Sequence, residues 1–161
     1  MAVDSNPLSC KQMSNTKITL LRAGDLLVCD STAATVGSLL EQLTGRESHF
    51  GLDDLNNLLS DSASRLFLLE YGSRIVGMLT LCTYLSPVGR KVWVEDVVVA
   101  EELRSKGLGR QLMQHAIAYV RENFAPCSLM LTSRPSRIAA NELYRSQGFE
   151  PRQTNVYKMD F

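Results

Sequence analysis

Net charge of either sign is absent from this sequence. Its 161 residues include 17 basic (Lys and Arg) and 17 acidic (Asp and Glu) side chains, so the formal net charge at pH 7 is zero. A nucleic-acid partner normally draws a basic face or tail, so we expect none. No stretch approaches the ~20 apolar residues of a membrane-spanning helix, and the N-terminus lacks the apolar run of a signal peptide. We therefore expect a loose leader at residues 1–15, one domain at residues 16–161, no membrane partner and a cytoplasmic location.

Metal-ligand spacing is also missing. Four cysteines, Cys10, Cys29, Cys82 and Cys127, are scattered without a CxxC pattern, and only two histidines accompany them. A zinc site or a disulfide framework is not expected from such spacing. We expect free thiols and no metal.

Hydrophobic patterning predicts an α+β fold built on one mixed sheet. Strands are predicted at residues 17–22, 65–71, 74–85, 91–100, 128–132 and 155–161. Helices are predicted at residues 26–43 with a start near Asp30 or Ser31, and at 52–59, 108–124 and 135–147 with Ser133 near the N-cap. Gly72 and Ser73 match a two-residue type II′ hairpin turn. The helix at residues 108–124 joins two strands as a parallel βαβ unit, so the sheet is mostly antiparallel and about four helices cover it.

A glycine-bearing loop, RSKGLGR at residues 104–110, lies between a valine-rich strand and an amphipathic helix. Unpaired N–H groups and the positive end of the helix dipole make such a place suitable for an anion such as pyrophosphate. The loop is neither a Walker A loop nor a dinucleotide-binding fingerprint. Taken alone, it is equally well interpreted as an ordinary polar turn.

Two motifs in the sequence resemble those of the acetyl-CoA-dependent N-acetyltransferase superfamily (GNAT). Arg104-x-x-Gly107-x-Gly109 fits the family's Q/R-x-x-G-x-G/A signature, and ANELYRSQGF at residues 140–149 is similar to its second motif, a helix with a tyrosine four residues before Gly-Phe. The resemblance implies a GNAT-like fold and acetyl-CoA as the acetyl donor. Arg137 stands where many members have an asparagine that contacts the cofactor.

The resemblance also implies roles for individual residues. Tyr144 is expected to be the general acid that protonates the departing thiolate, with a core aromatic as the alternative. The valine-rich strand around Val97–Val99 is expected to diverge from the next parallel strand and to bind the pantetheine arm of coenzyme A through its backbone. The expected coenzyme A contacts are Val97, Val98, Val99, Arg104, Ser105, Lys106, Gly107, Leu108, Gly109, Arg110 and Asn141.

Two adjacent acids, Glu95 and Asp96, interrupt the valine-rich strand. A buried acid is costly unless it is paired or functional, and an attacking amine needs a proton acceptor. Successive strand residues face opposite ways unless a bulge intervenes, as one commonly does in the family. We prefer Glu95 as the base and Asp96 as an amine-orienting or structural partner. Ion pairs with Arg90 or Arg145 are the alternative.

The acceptor is expected to be a small-molecule amine. Residues 94–99 resemble small-molecule members of the family, among them glucosamine-6-phosphate and aminoalkylphosphonate acetyltransferases, whose acceptors carry an anionic group. Arg46, Arg90, Lys91 or Arg152 could supply the counter-charge, and His49 could rim the pocket. Protein lysine or N-terminal acetylation and a non-catalytic coenzyme A binding module are the alternatives. Edge pairing of the C-terminal strand is one route to a homodimer.

Overall fold

A computed structural model describes residues 15–161 and places a five-stranded sheet at the centre of the folded molecule. The elements in chain order are β1 (Thr16–Leu20), α1 (Asp30–Thr44), α2 (Leu52–Ser60), β2 (Ser64–Tyr71), β3 (Arg74–Ser86), β4 (Gly89–Val99), a 3₁₀ turn (Glu101–Leu103), α3 (Leu108–Asn123), β5 (Cys127–Leu131) and α4 (Ile138–Ser146). The strands lie in the order β1-β2-β3-β4-β5. The first four are antiparallel and β5 is parallel to β4, so the predicted mixed sheet is confirmed.

The β2–β3 hairpin closes through the predicted two-residue turn. Tyr71 pairs with Arg74, which leaves Gly72 and Ser73 as the loop. Gly72 has a φ of 66° and Ser73 is not among the residues of positive φ, as a type II′ turn requires. The hairpin fixes the register from which the antiparallel part of the sheet is built.

Both faces of the sheet are covered. The four successive β2 residues 66–69 are each at most 1% exposed, and successive strand residues face opposite sides. On one face, the rings of His115 and Tyr119 of α3 meet Phe67 edge-on, with centroids 5.5 Å and 5.1 Å from it. Helices α1 and α2 pack against β2, β3 and β4 and cover the other face. The core therefore consists of two apolar layers with the sheet between them.

The sequence analysis expected no membrane-spanning helix, no metal site and no disulfide bond. Within residues 15–161, no helix has the length and apolar character needed to cross a bilayer. The same part of the chain contains no group of three or more His, Cys, Asp or Glu side chains arranged to hold a metal ion. Cys29, Cys82 and Cys127 are free thiols. Cys10 and most of the expected leader, residues 1–14, lie outside the described residues.

The predicted final strand at residues 155–161 is wrong. Residues 147–161 form neither helix nor strand, and β5 is the edge of the sheet. Val156, Tyr157, Met159 and Phe161 are 76–113% exposed. Their pattern is typical of a strand, but a strand also needs a hydrogen-bonding partner and a face to bury, and this segment has neither.

Two helix starts also differ from the prediction. Helix α1 begins at Asp30 with Cys29 as the N-cap residue. Helix α4 begins at Ile138 rather than at residue 135, with Arg137 as the N-cap residue in place of Ser133. The backbone N–H of Arg137 donates to the carbonyl of Arg134 at 3.0 Å, which closes a separate turn before the helix. Proline is favoured at the second position of such a turn, and residue 135 occupies it.

Gly77 of β3 leads to the first prediction. A Cβ atom built on Gly77 would lie 2.8 Å from the backbone carbonyl oxygen of Val98 on β4. We expect Gly77→Ala to lower the free energy of unfolding by about 1–3 kcal/mol, as overpacking typically does, measured by urea denaturation. Gly51→Ala is the control, because its Cβ would lie 3.9 Å from the nearest atom. Equal midpoints for the two variants would contradict the prediction.

Candidate active site

Strand β4 loses its parallel partner halfway along its length. Pairing with β5 runs from Arg90 opposite Cys127 to Val94 opposite Leu131 and stops there. Strand β4 continues to Val99 and remains paired with β3 on its other side. Residues 95–99 therefore present a backbone edge that β5 does not occupy. Two residues beyond the end of this pairing, the buried hydroxyl oxygen of Ser133 has no hydrogen-bond partner among the described residues.

A β-bulge lies where this opening begins. Thr80 pairs with Glu95 and Met78 pairs with Val98, so three steps along β4 match two along β3. The extra residue falls at Asp96–Val97, and Asp96 has a φ of 52°. Asp tolerates this left-handed conformation better than most residues, although such backbone strain typically occurs at functional sites. The bulge interrupts the alternation that would direct Glu95 and Asp96 to opposite faces.

The two carboxyl groups are weaker acids than usual. Both side chains remain accessible to solvent. Partial desolvation raises the pKa of Glu95, and the neighbouring charge of Asp96 raises it further. Desolvation also raises the pKa of Asp96. Neither forms an ion pair within residues 15–161, so the alternative of pairing with Arg90 or Arg145 is wrong. A carboxylate with a raised pKa is a better proton acceptor at neutral pH.

Cys82 is a neighbour of these acids that the sequence analysis did not assign to the site. It follows Thr80 by two residues on β3 and therefore shares the face of Glu95. Burial raises the pKa of the Cys82 thiol, and the charges of Glu95 and Asp96 raise it further. Both carboxylates are therefore close enough to influence one thiol. The register between β3 and β4, which the sequence analysis did not predict, is what places Cys82 near Glu95.

The loop before α3 has the backbone form of an anion site. Ser105 and Gly107 adopt left-handed φ angles of 63° and 78°. Gly107 is the N-cap residue of α3, and no side chain caps the helix. The first intrahelical bond runs from the N–H of Gln111 to the carbonyl of Gly107 at 3.1 Å. The N–H groups of residues 108–110 consequently have no intrahelical acceptor, which suits a pyrophosphate.

Arg104 holds this loop in place. Its Nε donates to the carbonyl oxygen of Val99 at 3.1 Å, and its guanidinium forms an ion pair with Glu101 at 3.1 Å. Arg104 thus joins the end of β4 to the 3₁₀ turn. Lys106 and Arg110 are exposed and have no side-chain partner in the described residues, so they are the free cations of the loop.

Tyr144 is fixed by the way α4 ends. The N–H of Phe149 donates to the carbonyl of Tyr144 at 3.1 Å, and that of Gly148 donates to Arg145 at 3.0 Å. With Gly148 at a φ of 90°, these two bonds form a Schellman motif. The apolar contact of that motif is the edge-on packing of Phe149 against Tyr144, with ring centroids 6.2 Å apart. The Gly-Phe pair therefore sets the position of the tyrosine.

Helix α4 lies beside the end of β4 and the start of α3. A Cβ on Gly109 would lie 3.5 Å from Leu143 Cδ2 and 4.0 Å from Val99 Cγ2. Leu143 precedes Tyr144, so the turn of α4 that carries the tyrosine lies beside the end of β4. Burial raises the pKa of the Tyr144 hydroxyl, and the positive charge of Arg137 opposes that rise.

The polar residues at the start of α4 are used to hold the helix. The amide of Asn141 donates to the carbonyl of Arg134 at 2.9 Å. The guanidinium of Arg137 donates to the carbonyl of Leu43 at 3.0 Å and ties α4 to the end of α1. Asn141, an expected coenzyme A contact, thus has an intramolecular bond already. Arg137 has a structural partner that an asparagine would be too short to reach.

A cavity of about 970 Å³ adjoins this contact. Residues 40, 43–50 and 54 line one side, and Arg134, Arg137 and Lys158 line the other. Arg46 and His49 are therefore both at the cavity. Arg90 and Lys91 do not line the cavity. The guanidinium carbon of Arg90 lies 5.8 Å from the ring centroid of Phe124, and the ammonium group of Lys91 donates to the hydroxyl of Ser128 at 3.3 Å. Arg152 is also outside the cavity lining.

Most of the chain matches a known protein family. Residues 34–149 match the model of the acetyltransferase (GNAT) family. A curated relative, streptothricin acetyltransferase A of Bacillus subtilis (strain 168), is 38% identical over 56 residues. That match spans 35% of this chain and only 32% of the relative.

Solved structures share the fold over nearly the whole chain. An aminoglycoside acetyltransferase from an uncultured soil metagenomic sample has a TM-score of 0.78 at 19% identity, over 92% of this chain and 98% of that one. A ribosomal-protein-alanine N-acetyltransferase from Brucella melitensis biovar Abortus 2308 has a TM-score of 0.70 at 20% identity, over 91% and 99% of the two chains. At this identity the likeness shows the fold alone.

The raised pKa of Asp96 predicts a stability change that depends on pH. An acid whose pKa is higher in the folded state binds protons more tightly there, so its ionisation destabilises the fold as pH rises above the usual Asp range. We expect Asp96→Asn to raise the thermal midpoint near neutral pH and to leave it unchanged in acid, where wild-type Asp96 is protonated in both states.

Asp61 is the control, because its pKa is shifted in the opposite direction to that of Asp96. Hydrogen bonds from the hydroxyl of Ser64 and the N–H of Ala63 lower its pKa. Asp61→Asn should therefore lower the midpoint near neutral pH. An Asp96→Asn effect of the same size at all pH values would reflect backbone preference and would contradict the electrostatic explanation.

Proposed function

Because the chain belongs to the acetyltransferase (GNAT) family, we propose that it transfers an acetyl group from acetyl-CoA to a primary amine of a small molecule. The observation that carries this proposal is the meeting of three features at one opening. They are the edge of β4 that β5 leaves at residues 95–99, the uncapped start of α3, and Tyr144 near the end of α4. Together they match an extended thioester-bearing ligand with a pyrophosphate at one end.

The donor would be held mainly by backbone groups. The N–H groups of residues 108–110 and the left-handed Ser105 and Gly107 favour the pyrophosphate, while Lys106 and Arg110 add positive charge. The open edge of Val97–Val99 would bind the amides of the pantetheine arm as an additional strand does. Arg104 and Asn141 would position these segments rather than bind the donor directly, because their side chains have intramolecular partners.

In the proposed reaction, the neutral amine attacks the thioester carbonyl directly and forms a tetrahedral intermediate. Glu95 takes the proton of the amine, and its raised pKa suits that role. Asp96 orients the amine. Tyr144 donates a proton to the departing thiolate as the intermediate collapses. Since the Tyr144 pKa is raised, the phenol remains protonated at neutral pH and available as an acid.

The two alternative functions are acetylation of a protein and coenzyme A binding without catalysis. Acetylation of a protein is the activity named for one structural neighbour, a ribosomal-protein-alanine N-acetyltransferase, but that neighbour shares only the fold with this chain. The concave cavity beside Arg137 favours a small acceptor. A coenzyme A binding module without catalysis would need no carboxylate beside the opening, and the partly desolvated Glu95–Asp96 pair, with its left-handed Asp96, argues against it. A homodimer stays a prediction, but the route expected for it, edge pairing of a strand at residues 155–161, is wrong because that segment is not a strand. The edge strand next to β4 is β5 instead.

Gly109 tests the donor site without disturbing the fold. Ala at this position would make only ordinary contacts with Leu143 and Val99. We expect Gly109→Ala to keep the thermal midpoint of the wild type but to bind acetyl-CoA roughly tenfold or more weakly, because the methyl group blocks the approach of the pyrophosphate. Isothermal titration calorimetry measures the affinity. Unchanged affinity would show that the N-terminus of α3 does not bind the pyrophosphate of acetyl-CoA.

Substitutions of the three candidate catalytic residues test the chemistry. We expect Tyr144→Phe and Glu95→Gln each to lower kcat by roughly 10²–10⁴-fold, the usual range for loss of a general acid or base. Asp96→Asn should have a smaller effect. Free-thiol release from acetyl-CoA, measured against a panel of amines, reports turnover. Tyr157→Phe is the control, because Tyr157 is 87% exposed in the C-terminal segment.

The pH profile separates the two carboxylates. With the wild type, kcat/KM should fall in acid as the base becomes protonated, at a pH above the usual carboxylate range. That acidic limb should disappear in the variant that lacks the base. Wild-type turnover in both Tyr144→Phe and Glu95→Gln would contradict the mechanism. Acetyl-CoA binding without any turnover would favour the binding module.

A further inference from the structure

The 970 Å³ cavity carries an excess of positive charge. Its lining includes four cationic side chains, from Arg46, Arg134, Arg137 and Lys158, and two acidic ones, from Glu47 and Asp54. The four cations come from the α1–α2 connection, the turn before α4 and the C-terminal segment. Segments that are far apart in sequence thus bring like charges to one concave surface, which is unfavourable unless a counter-ion binds.

Some of these charges already have partners. Arg137 donates to the carbonyl of Leu43, and Lys158 pairs with Asp160 at 2.7 Å. The carboxylate of Asp54 accepts the N–H of Gly51 at 2.9 Å and so caps α2. Arg46, Arg134 and Glu47 remain, and none of their charged groups has a hydrogen-bond or ion-pair partner among the described residues. The unpaired charges of the lining are thus two positive and one negative.

Arg137 connects this cavity to the reaction site. It lines the cavity, and its charge acts on the hydroxyl of Tyr144. A molecule with its reacting amine beside Tyr144 and the carboxylates of β4 would therefore extend towards Arg46 and Arg134. Guanidinium groups bind carboxylate and phosphate oxygens through paired hydrogen bonds, so they suit an anionic group.

We propose that the cavity binds an anionic group of the acceptor, a carboxylate or a phosphate, through Arg46 and Arg134, so that the preferred substrate is an amine that also carries a negative charge. This inference rests on the proposed acetyl transfer and names its substrate class. A polycationic amine of the aminoglycoside type would face repulsion from the same cavity. The other phosphate available at this site is that of coenzyme A itself, and the experiment separates the two sources.

The test compares amines that differ only in the anionic group. Thiol release from acetyl-CoA is measured with 4-aminobutanol and 4-aminobutyrate, with 2-aminoethanol and 2-aminoethyl phosphate, and with an aminoglycoside. We expect the anionic member of each pair to have a kcat/KM roughly tenfold or more above its neutral counterpart. The double variant Arg46→Gln, Arg134→Gln should lose this preference through KM, with kcat retained.

Arg152→Gln is the matched control. Arg152 is an exposed arginine outside the cavity, so its loss should leave the preference intact. Faster turnover of neutral or polycationic amines by the wild type would overturn the proposal. It would also be overturned if the double variant weakened binding of coenzyme A but not of dephospho-coenzyme A, because the anion would then belong to the donor.

A binding measurement keeps the inference separate from catalysis. Protein labelled with ¹⁵N and saturated with coenzyme A is titrated with 2-aminoethyl phosphate and with inorganic phosphate, and amide shifts are followed by NMR. Shifts at Arg46, Ser48 and Arg134 that vanish in the double variant support the site, even if no amine is turned over. In that case the proposed transfer fails while the anion site stands. Absence of shifts at the cavity overturns the anion site, whatever the outcome for turnover.

Discussion

The constraint on which the site depends is the loss of pairing on one side of β4. Glu95, Val98 and Val99 remain paired with β3, while β5 no longer pairs with the other edge of residues 95–99. Backbone N–H and C=O groups left unpaired inside a protein are costly, so an open edge next to a covered core implies a ligand or water that bonds to it. The bulge at Asp96 begins at the same position and interrupts the alternation that would send the two adjacent carboxylates to opposite faces. One local change in strand geometry therefore provides both the binding edge and the acid pair.

Local patterns in the sequence predicted the framework well. The II′ turn at Gly72 determines the hairpin, and the apolar stripe of α3 determines the crossover, because both depend on residues close in the chain. The predicted strand at residues 155–161 failed for the opposite reason. Its apolar side chains fit a strand, but only a partner elsewhere in the molecule makes a strand, and periodicity does not contain that information. The start of α4 was misplaced because Pro135 and Asn141 build a turn there instead of a longer helix.

The candidate site was predictable in its motifs and less so in what each motif residue does. The Arg104–Arg110 loop and Tyr144 occupy the expected elements. Arg104 and Asn141, however, use their side chains on the carbonyls of Val99 and Arg134 and shape the frame. The Gly148–Phe149 pair acts similarly, since it closes a Schellman motif that fixes Tyr144. A sequence motif shows which residues occur together. The hydrogen bonds in the structure show which of those residues support the site and which line it.

In the proposed function, the acceptor is selected by a different part of the molecule from the part that binds the donor. Donor binding would rely on backbone edges and a helix start, which any sequence with the right glycines can supply. The cavity instead relies on side chains from three segments, around Arg46, Arg134 and Lys158, whose meeting depends on the tertiary fold. Members that share the fold at about 20% identity are therefore free to differ in the charge of this surface. A positive cavity here disfavours the polycationic acceptors that the names of some structural neighbours suggest, so the acceptor has to be inferred from the residues of this chain.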